Sequence, residues 1–185
     1  LELYDYAEKI LNHDIKIDKN GILSKVLNSS SKESFMKPHE FKNFFCLLIA
    51  AGNDTTRYSI AMALYQLSLN NSLIRELKTN KYWGTCADEF IRLASPTMYF
   101  RRTATSNITF EGKKINKDDK VILWFVSGNR DEKVFQSPHT PIISRSPNPH
   151  ISFGQGGVHF CLGIWLARME VRILLEELIK NIDSI

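Results

Sequence analysis

The sequence predicts a mainly α protein with a small β region. Apolar residues recur at helical spacing over long stretches, most plainly in "IWLARMEVRILLEELIK" (Ile164–Lys180) and from about His39 to Leu69. β-Branched and aromatic residues gather in two short segments, "RRTATSNITFEGKKI" (Arg101–Ile115) and "KVILWFV" (Lys120–Val126). The 185 residues suffice for one domain with a core, and a composition of 43% hydrophobic and 24% charged residues is that of an ordinary globular protein.

In chain order, Leu1 to about Leu11 reads as the end of an amphipathic helix and "GILSKVLN" (Gly21–Asn28) as a short second one. "SSSKESFMKPHE" is polar and predicts a loop, with Pro38 suited to the first turn of the helix that follows. That helix is apolar nearly all round from Phe44 to Ala51, which predicts a central, buried position. "SLIRELKTN" (Ser72–Asn80) and "WGTCADEFIRLAS" (Trp83–Ser95) predict two more helices, the second stopped by Pro96. Gly112 marks a hairpin turn in the β segment. Gly128 to Pro149 is irregular and proline-rich, and a long loop of this kind is often functional.

Bulk properties exclude several classes. The net charge of +4 comes from scattered lysines rather than a basic block, so nucleic acid is not a predicted partner. The longest apolar run, Phe44–Ala51, falls far short of the roughly 20 residues that span a bilayer. Cys46, Cys86 and Cys161 are an odd, widely spaced set, which argues against a disulfide framework and a zinc site. Reduced thiols and a cytoplasmic setting are the expectation. The chain starts at Leu1 within a helical pattern, and we read it as a piece of a longer protein.

The stretch "FGQGGVHFCLG" (Phe153–Gly163) concentrates glycines ahead of one cysteine and a helix. Glycines let backbone approach a flat metal centre closely, and helix N–H groups beginning near Leu162 favour a thiolate at Cys161. Taken alone, Cys161 reads rather as a small buried hydrophobe, the usual state of a free cysteine. "AAGNDTT" (Ala50–Thr56) places poor helix formers mid-helix, either as a groove holding the acid Asp54 and the alcohol Thr55 or as a satisfied polar cluster. Glu89 and Arg92, three apart, can pair on one helix, and such pairs are common on surfaces.

Phe153, Gly154, Gly156, His159, Cys161 and Gly163 resemble the haem-ligand signature of the cytochromes P450, FGxGxHxCxG, with one extra residue before the cysteine. "AGNDTT" is similar to that family's (A/G)GxDT motif, "EFIR" to its ExxR, and "RRTATSNITFEGKKINKDDKVILWFVSGNRDEKVF" to its β-rich segment and the stretch after it. The resemblance covers almost the whole chain, with the motifs in the family's order. "TMYFRRT", "WFVSGNRDE", "SPNPH" and "HFCLG" look like soluble bacterial members that ω-hydroxylate branched lipids and steroids.

The resemblance implies a cytochrome P450 fold. The chain (residues 1–185) would be the C-terminal portion of a single such domain, without its N-terminal part and final β hairpin. The implied cofactor is haem b, iron protoporphyrin IX, with Cys161 as the thiolate ligand of the metal. Arg102 and His159 would bind the propionates, and Phe153, Gly154 and Gly163 would complete the cofactor-binding loop. Asp54 and Thr55 become a catalytic acid–alcohol pair for proton delivery. The Glu89–Arg92 pair becomes a structural lock on the cysteine loop. Its third partner in the family is an arginine, and Thr140 and Pro141 stand in those places here, which leaves His139 and Arg145 as substitutes. The implied activity is that of a monooxygenase inserting one atom of O2 into an apolar substrate, a lipid or steroid. Electrons would come from a ferredoxin-type partner with its NAD(P)H reductase. An H2O2-driven peroxygenase and a non-catalytic haem sensor are the alternatives.

Overall fold

A computed structural model describes residues 2–28 and 36–184. They form two compact units, Leu1–Asn53 and Asp54–Ile185. The predicted class holds: among the described residues there are seven helices and four short strands.

The first unit holds α1 (Glu2–Leu11), α2 (Ile22–Leu27) and the start of α3 (Pro38–Leu69). Part of the expected loop, residues 29–35, lies outside the described residues. Pro38 opens α3 as predicted, because its missing N–H costs nothing in a first turn. The Lys37 backbone N–H donates to Glu40 Oε2 at 2.7 Å, the return half of a capping box. Ala7, Ile10, Phe41 and Phe45 form the buried cluster, with Phe41 and Phe45 one helical turn apart.

One expectation is overturned here. Of Phe44–Ala51 only Phe45 is buried, while Leu47 and Ile49 are exposed. Within this unit α1 and α2 are short and cover one stripe of α3, so its other apolar faces are left to solvent.

The second unit is built on a core of Ala63 and Leu67 from α3, Leu73, Ile74 and Leu77 from α4 (Asn71–Leu77), and Cys86, Ala87, Phe90 and Ile91 from α5 (Cys86–Ala94). Val171, Leu175 and Ile179 of α7 (Ile164–Asn181) complete it at i, i+4, i+8 spacing. Asn70 caps α4 by accepting from Ser72 N at 3.0 Å. α5 starts later than predicted. Thr85 and Cys86 N–H groups both bond the Tyr82 carbonyl, so the Trp83–Thr85 segment is a turn. It ends at Ser95, whose φ of 43° is left-handed, just before Pro96.

The β region is two separate antiparallel pairs. β1 (Tyr99–Thr103) pairs with β4 (Lys120–Trp124), placing Arg102 opposite Val121. β2 (Ile108–Phe110) and β3 (Lys113–Ile115) form the hairpin predicted around Gly112. Glu111 and Gly112 both have positive φ, as a tight hairpin turn requires. Phe125 and Val126, expected in a strand, instead start the single-turn α6 (Phe125–Gly128). Its Asn129 N–H caps back to the Phe125 carbonyl at 2.8 Å.

Candidate active site

The cysteine loop is made by its glycines. Gly154, Gly156 and Gly157 have φ of 80°, 67° and 75°, a region L side chains rarely enter. The chain thereby reverses and closes on itself. Cys161 N–H donates to the Phe153 carbonyl at 3.0 Å, and Phe160 N–H to the Gly157 carbonyl at 3.2 Å. Gly154 lies close to the His159 carbonyl, 3.9 Å from where a Cβ would sit. Gly163 is the N-cap of α7, so Cys161 stands just ahead of that helix. Cys161 is half-buried, as is Cys46, and Cys86 is fully enclosed. Burial pushes the Cys86 thiol up to about 12, which makes it a core residue rather than a ligand.

The irregular segment leading into this loop is held by the Glu89–Arg92 pair of α5. Both side chains are 0% exposed. Arg92 grips the carboxylate with two bonds, Nε to Oε2 at 2.9 Å and Nη2 to Oε1 at 2.8 Å. The remaining donor and acceptor positions reach into the irregular segment. Arg92 Nη1 donates to the carbonyls of Asn129 (2.7 Å) and Pro138 (2.8 Å). Glu89 accepts from Ile142 N–H at 2.9 Å, Arg145 Nε at 2.9 Å and Asn148 Nδ2 at 3.1 Å. Burial alone would raise the Glu89 carboxyl, but the bonds from Arg92 and Ile142 outweigh it and hold it below the usual range.

Arg145 is therefore the third partner, and His139 is not. Thr140 and Pro141 stand in the places of the expected arginine, and the neighbouring Ile142 contributes its backbone N–H instead. Phe135 lies under both guanidinium groups, 5.0 Å from Arg92 and 5.7 Å from Arg145.

Asn129 is a site residue that sequence reading passed over. It is fully buried. Its side chain accepts from Ile151 N–H at 2.7 Å and donates to Ser95 and Ser152 hydroxyls at 2.9 and 2.8 Å. It thus joins the end of α5 to the residues entering the cysteine loop. The only sequence signal was its place in "GNRD", an Asn at the end of an apolar stretch.

The other candidates are more dispersed. α3 runs unbroken through Gly52, so the glycine opens no distortion there. Asp54 is exposed and pairs with Arg57 at 2.5 Å, a partner the sequence reading had not singled out. The Thr55 carbonyl accepts from Ser59 Oγ at 2.9 Å. Arg102 is exposed, donates to the Arg101 carbonyl at 3.1 Å and lies 5.7 Å over Phe100. His159 is exposed on the loop. Among the described residues no hydrogen bond or ion pair joins Asp54, Arg102 or His159 to one another.

The donors bear on the haem implied by the sequence. Among the described residues no three His, Cys, Asp or Glu side chains converge on a point where they could hold an ion. Cys161 is a free, half-buried soft donor just ahead of α7, a donor type that suits a metal whose other ligands come with it in a macrocycle. Beside it Val158 (96% exposed), Phe160, Leu162 and Trp165 (76% exposed) present apolar surface of the kind a flat hydrophobic ring system packs against. The residues fit the group.

A family model described as "Cytochrome P450" matches residues 4–183. The chain is 40% identical over 157 residues to a Mycobacterium bovis methyl-branched lipid omega-hydroxylase, covering 81% of this chain and 36% of that protein. It is 35% identical over 184 residues to a Mycolicibacterium smegmatis steroid C26-monooxygenase, covering 100% of this chain and 43% of that protein. Among solved structures, a Mycobacterium marinum cytochrome P450 in complex with pseudoionone superposes with a TM-score of 0.90 at 36% identity. That match covers 98% of this chain and 44% of the other. The chain thus spans less than half the length of these relatives. Among the described residues no helix is long and apolar enough to cross a membrane.

Proposed function

The chain belongs to the cytochrome P450 family, and on that premise we propose that the whole protein is a haem-thiolate monooxygenase acting on an apolar substrate of the lipid or steroid class. The chain is read as the C-terminal portion of that single domain. The reaction is RH, O2, two electrons and two protons giving ROH and water. The electrons come from a ferredoxin-type protein and its NAD(P)H reductase. The substrate class rests on the two hydroxylase relatives.

The observation that carries this reading is the cysteine loop: three left-handed glycines, a closing bond from Cys161 N–H to Phe153, and a buried ion pair that anchors the segment leading into it. Haem b, when bound, supplies the oxygen chemistry. Cys161 is the residue that would ligate its iron, and Arg102 and His159 are the donors for its propionates. Phe153, whose carbonyl takes the Cys161 N–H, and Gly154, with its positive φ, shape the loop, and Gly163 is the N-cap of the helix that follows. Thr55 offers a hydroxyl and Asp54 a carboxylate on consecutive residues of α3, and they are assigned to holding and moving protons. Arg57 competes for the Asp54 carboxylate, so proton transfer requires Asp54 to turn away from it.

The test is turnover of the full-length protein with NADH, ferredoxin, reductase and 18O-labelled O2, using methyl-branched lipids and sterols. Label in a hydroxylated product supports the proposal. Product made from H2O2 but not from NADH would make it a peroxygenase, and haem binding without product would make it a sensor.

A further inference from the structure

Asp88 stands next to Glu89 on α5, and consecutive helical residues point about 100° apart. α5 thus directs two carboxylates to two sides. Glu89 holds the irregular segment. Asp88 receives two donors on a single oxygen, Oδ1: Arg168 Nε at 2.7 Å and His150 Nε2 at 3.1 Å. His150 lies on the strand of chain that enters the cysteine loop, and Arg168 lies on α7, which leaves it.

The imidazole is locked. Its side chain is 2% exposed, and its Nδ1 accepts the Ser152 N–H at 3.3 Å. With Nδ1 an acceptor, the ring proton sits on Nε2 and points at Asp88. Between the two donors lies Phe153, its ring 5.6 Å from the His150 ring and 5.4 Å from the Arg168 guanidinium. The carbonyl of that same Phe153 accepts the Cys161 N–H. Burial alone would raise the Asp88 carboxyl, yet the bonds from His150 and Arg168 more than offset it and keep it low.

We infer that Asp88 is a positioning residue for Cys161: through His150 and Arg168 it ties both stems of the cysteine loop to α5 and fixes Phe153 between them. It is a second clamp beside the Glu89–Arg92 pair, acting on the loop itself. The inference rests on Cys161 being the haem ligand, but the clamp has a readout of its own.

The experiment compares full-length haem-loaded parent, Asp88→Asn and Asp88→Glu. Asp88→Asn removes the charge and turns one acceptor into a donor facing Arg168 or His150. Amide exchange across 150–163 should quicken by roughly tenfold or more, as for a lost charge-assisted bond, with residues 138–145 unchanged. The reduction potential should move positive, because a loosely held sulfur donates less to the ferric state. Asp88→Glu should recover most of both effects. If Asp88→Asn does not accumulate folded, Arg168→Gln gives the same comparison. Parent-like exchange and potential in the folded variant would overturn the clamp. A parent protein with no thiolate-ligated haem would instead overturn the proposed function, while the exchange data still decide the clamp.

Discussion

Arg145 Nε donates to Glu89 Oε2 at 2.9 Å, the same oxygen that accepts from Arg92 Nε. One buried carboxylate therefore joins α5 to the irregular segment ahead of the cysteine loop. The arrangement is a charge network with several bonds to each member, not a surface pair of small value.

Glu89→Ala should strand Arg92, which is wholly enclosed. Breaking a buried pair by removing one partner costs about 3–5 kcal/mol. The expected product is haem-free or misfolded full-length protein, read by urea denaturation and by the ratio of haem to protein. Arg145→Ala should lose less, since Arg92 and Ile142 still serve the carboxylate. Normal haem content and stability in Glu89→Ala would contradict the role.

Acid should loosen both this network and the Asp88 clamp. Glu89 and Asp88 are both held below their ordinary values of 4.5 and 3.8. A carboxyl depressed in the folded state stabilises above its unfolded value, and that contribution is lost as pH falls through the folded value. Stability should thus decline as pH drops below the ordinary carboxylate range. Denaturation midpoints measured from pH 6 down to pH 3 should show a shallower acid limb in Asp88→Asn than in the parent. An identical slope would show that Asp88 does not contribute.

Cys86 should be chemically silent. Its thiol is enclosed and pushed up to about 12, and only the thiolate alkylates readily. Iodoacetamide at pH 8 followed by peptide mass mapping should leave Cys86 unmodified in the native protein and label it after denaturation. Native labelling of Cys86 would contradict its core position.

Thr55→Ala should separate electron use from product. With the hydroxyl gone, NADH is still consumed, and more of the reducing power leaves as H2O2. Asp54→Asn should slow turnover instead, general acid–base groups being worth about 10²–10⁴-fold. Arg57→Gln is the control, because it frees the Asp54 carboxylate without removing it. Parallel assays of NADH, product and peroxide distinguish these outcomes, and tight coupling in Thr55→Ala would remove the pair from the mechanism.

Much of this was legible in the sequence, for reasons that differ between residues. The glycine loop could be read because positive φ has few residue solutions, and three of the four glycines with that backbone lie between Phe153 and Cys161. Glu89 and Arg92 could be read as a pair from their spacing, but not as buried, since depth comes from packing that spacing does not encode. Arg145 was one of two options, and the structure chose it because Ile142 and Asn148 bring its segment onto the same carboxylate. Asp88, His150 and Arg168 left no local signal, because their meeting joins residues more than 60 positions apart. The burial predicted for Phe44–Ala51 failed because apolar pattern states what a helix wants covered, not what the neighbouring helices reach.

The central claim is that Cys161 is the thiolate ligand of a haem. The most direct measurement is the absorption spectrum of the reduced, CO-bound full-length protein, for the parent and for each cysteine replaced singly by serine. The account predicts the thiolate-ligated band in the parent, Cys46→Ser and Cys86→Ser, and its loss in Cys161→Ser alone. Retention of that band in Cys161→Ser would contradict the assignment.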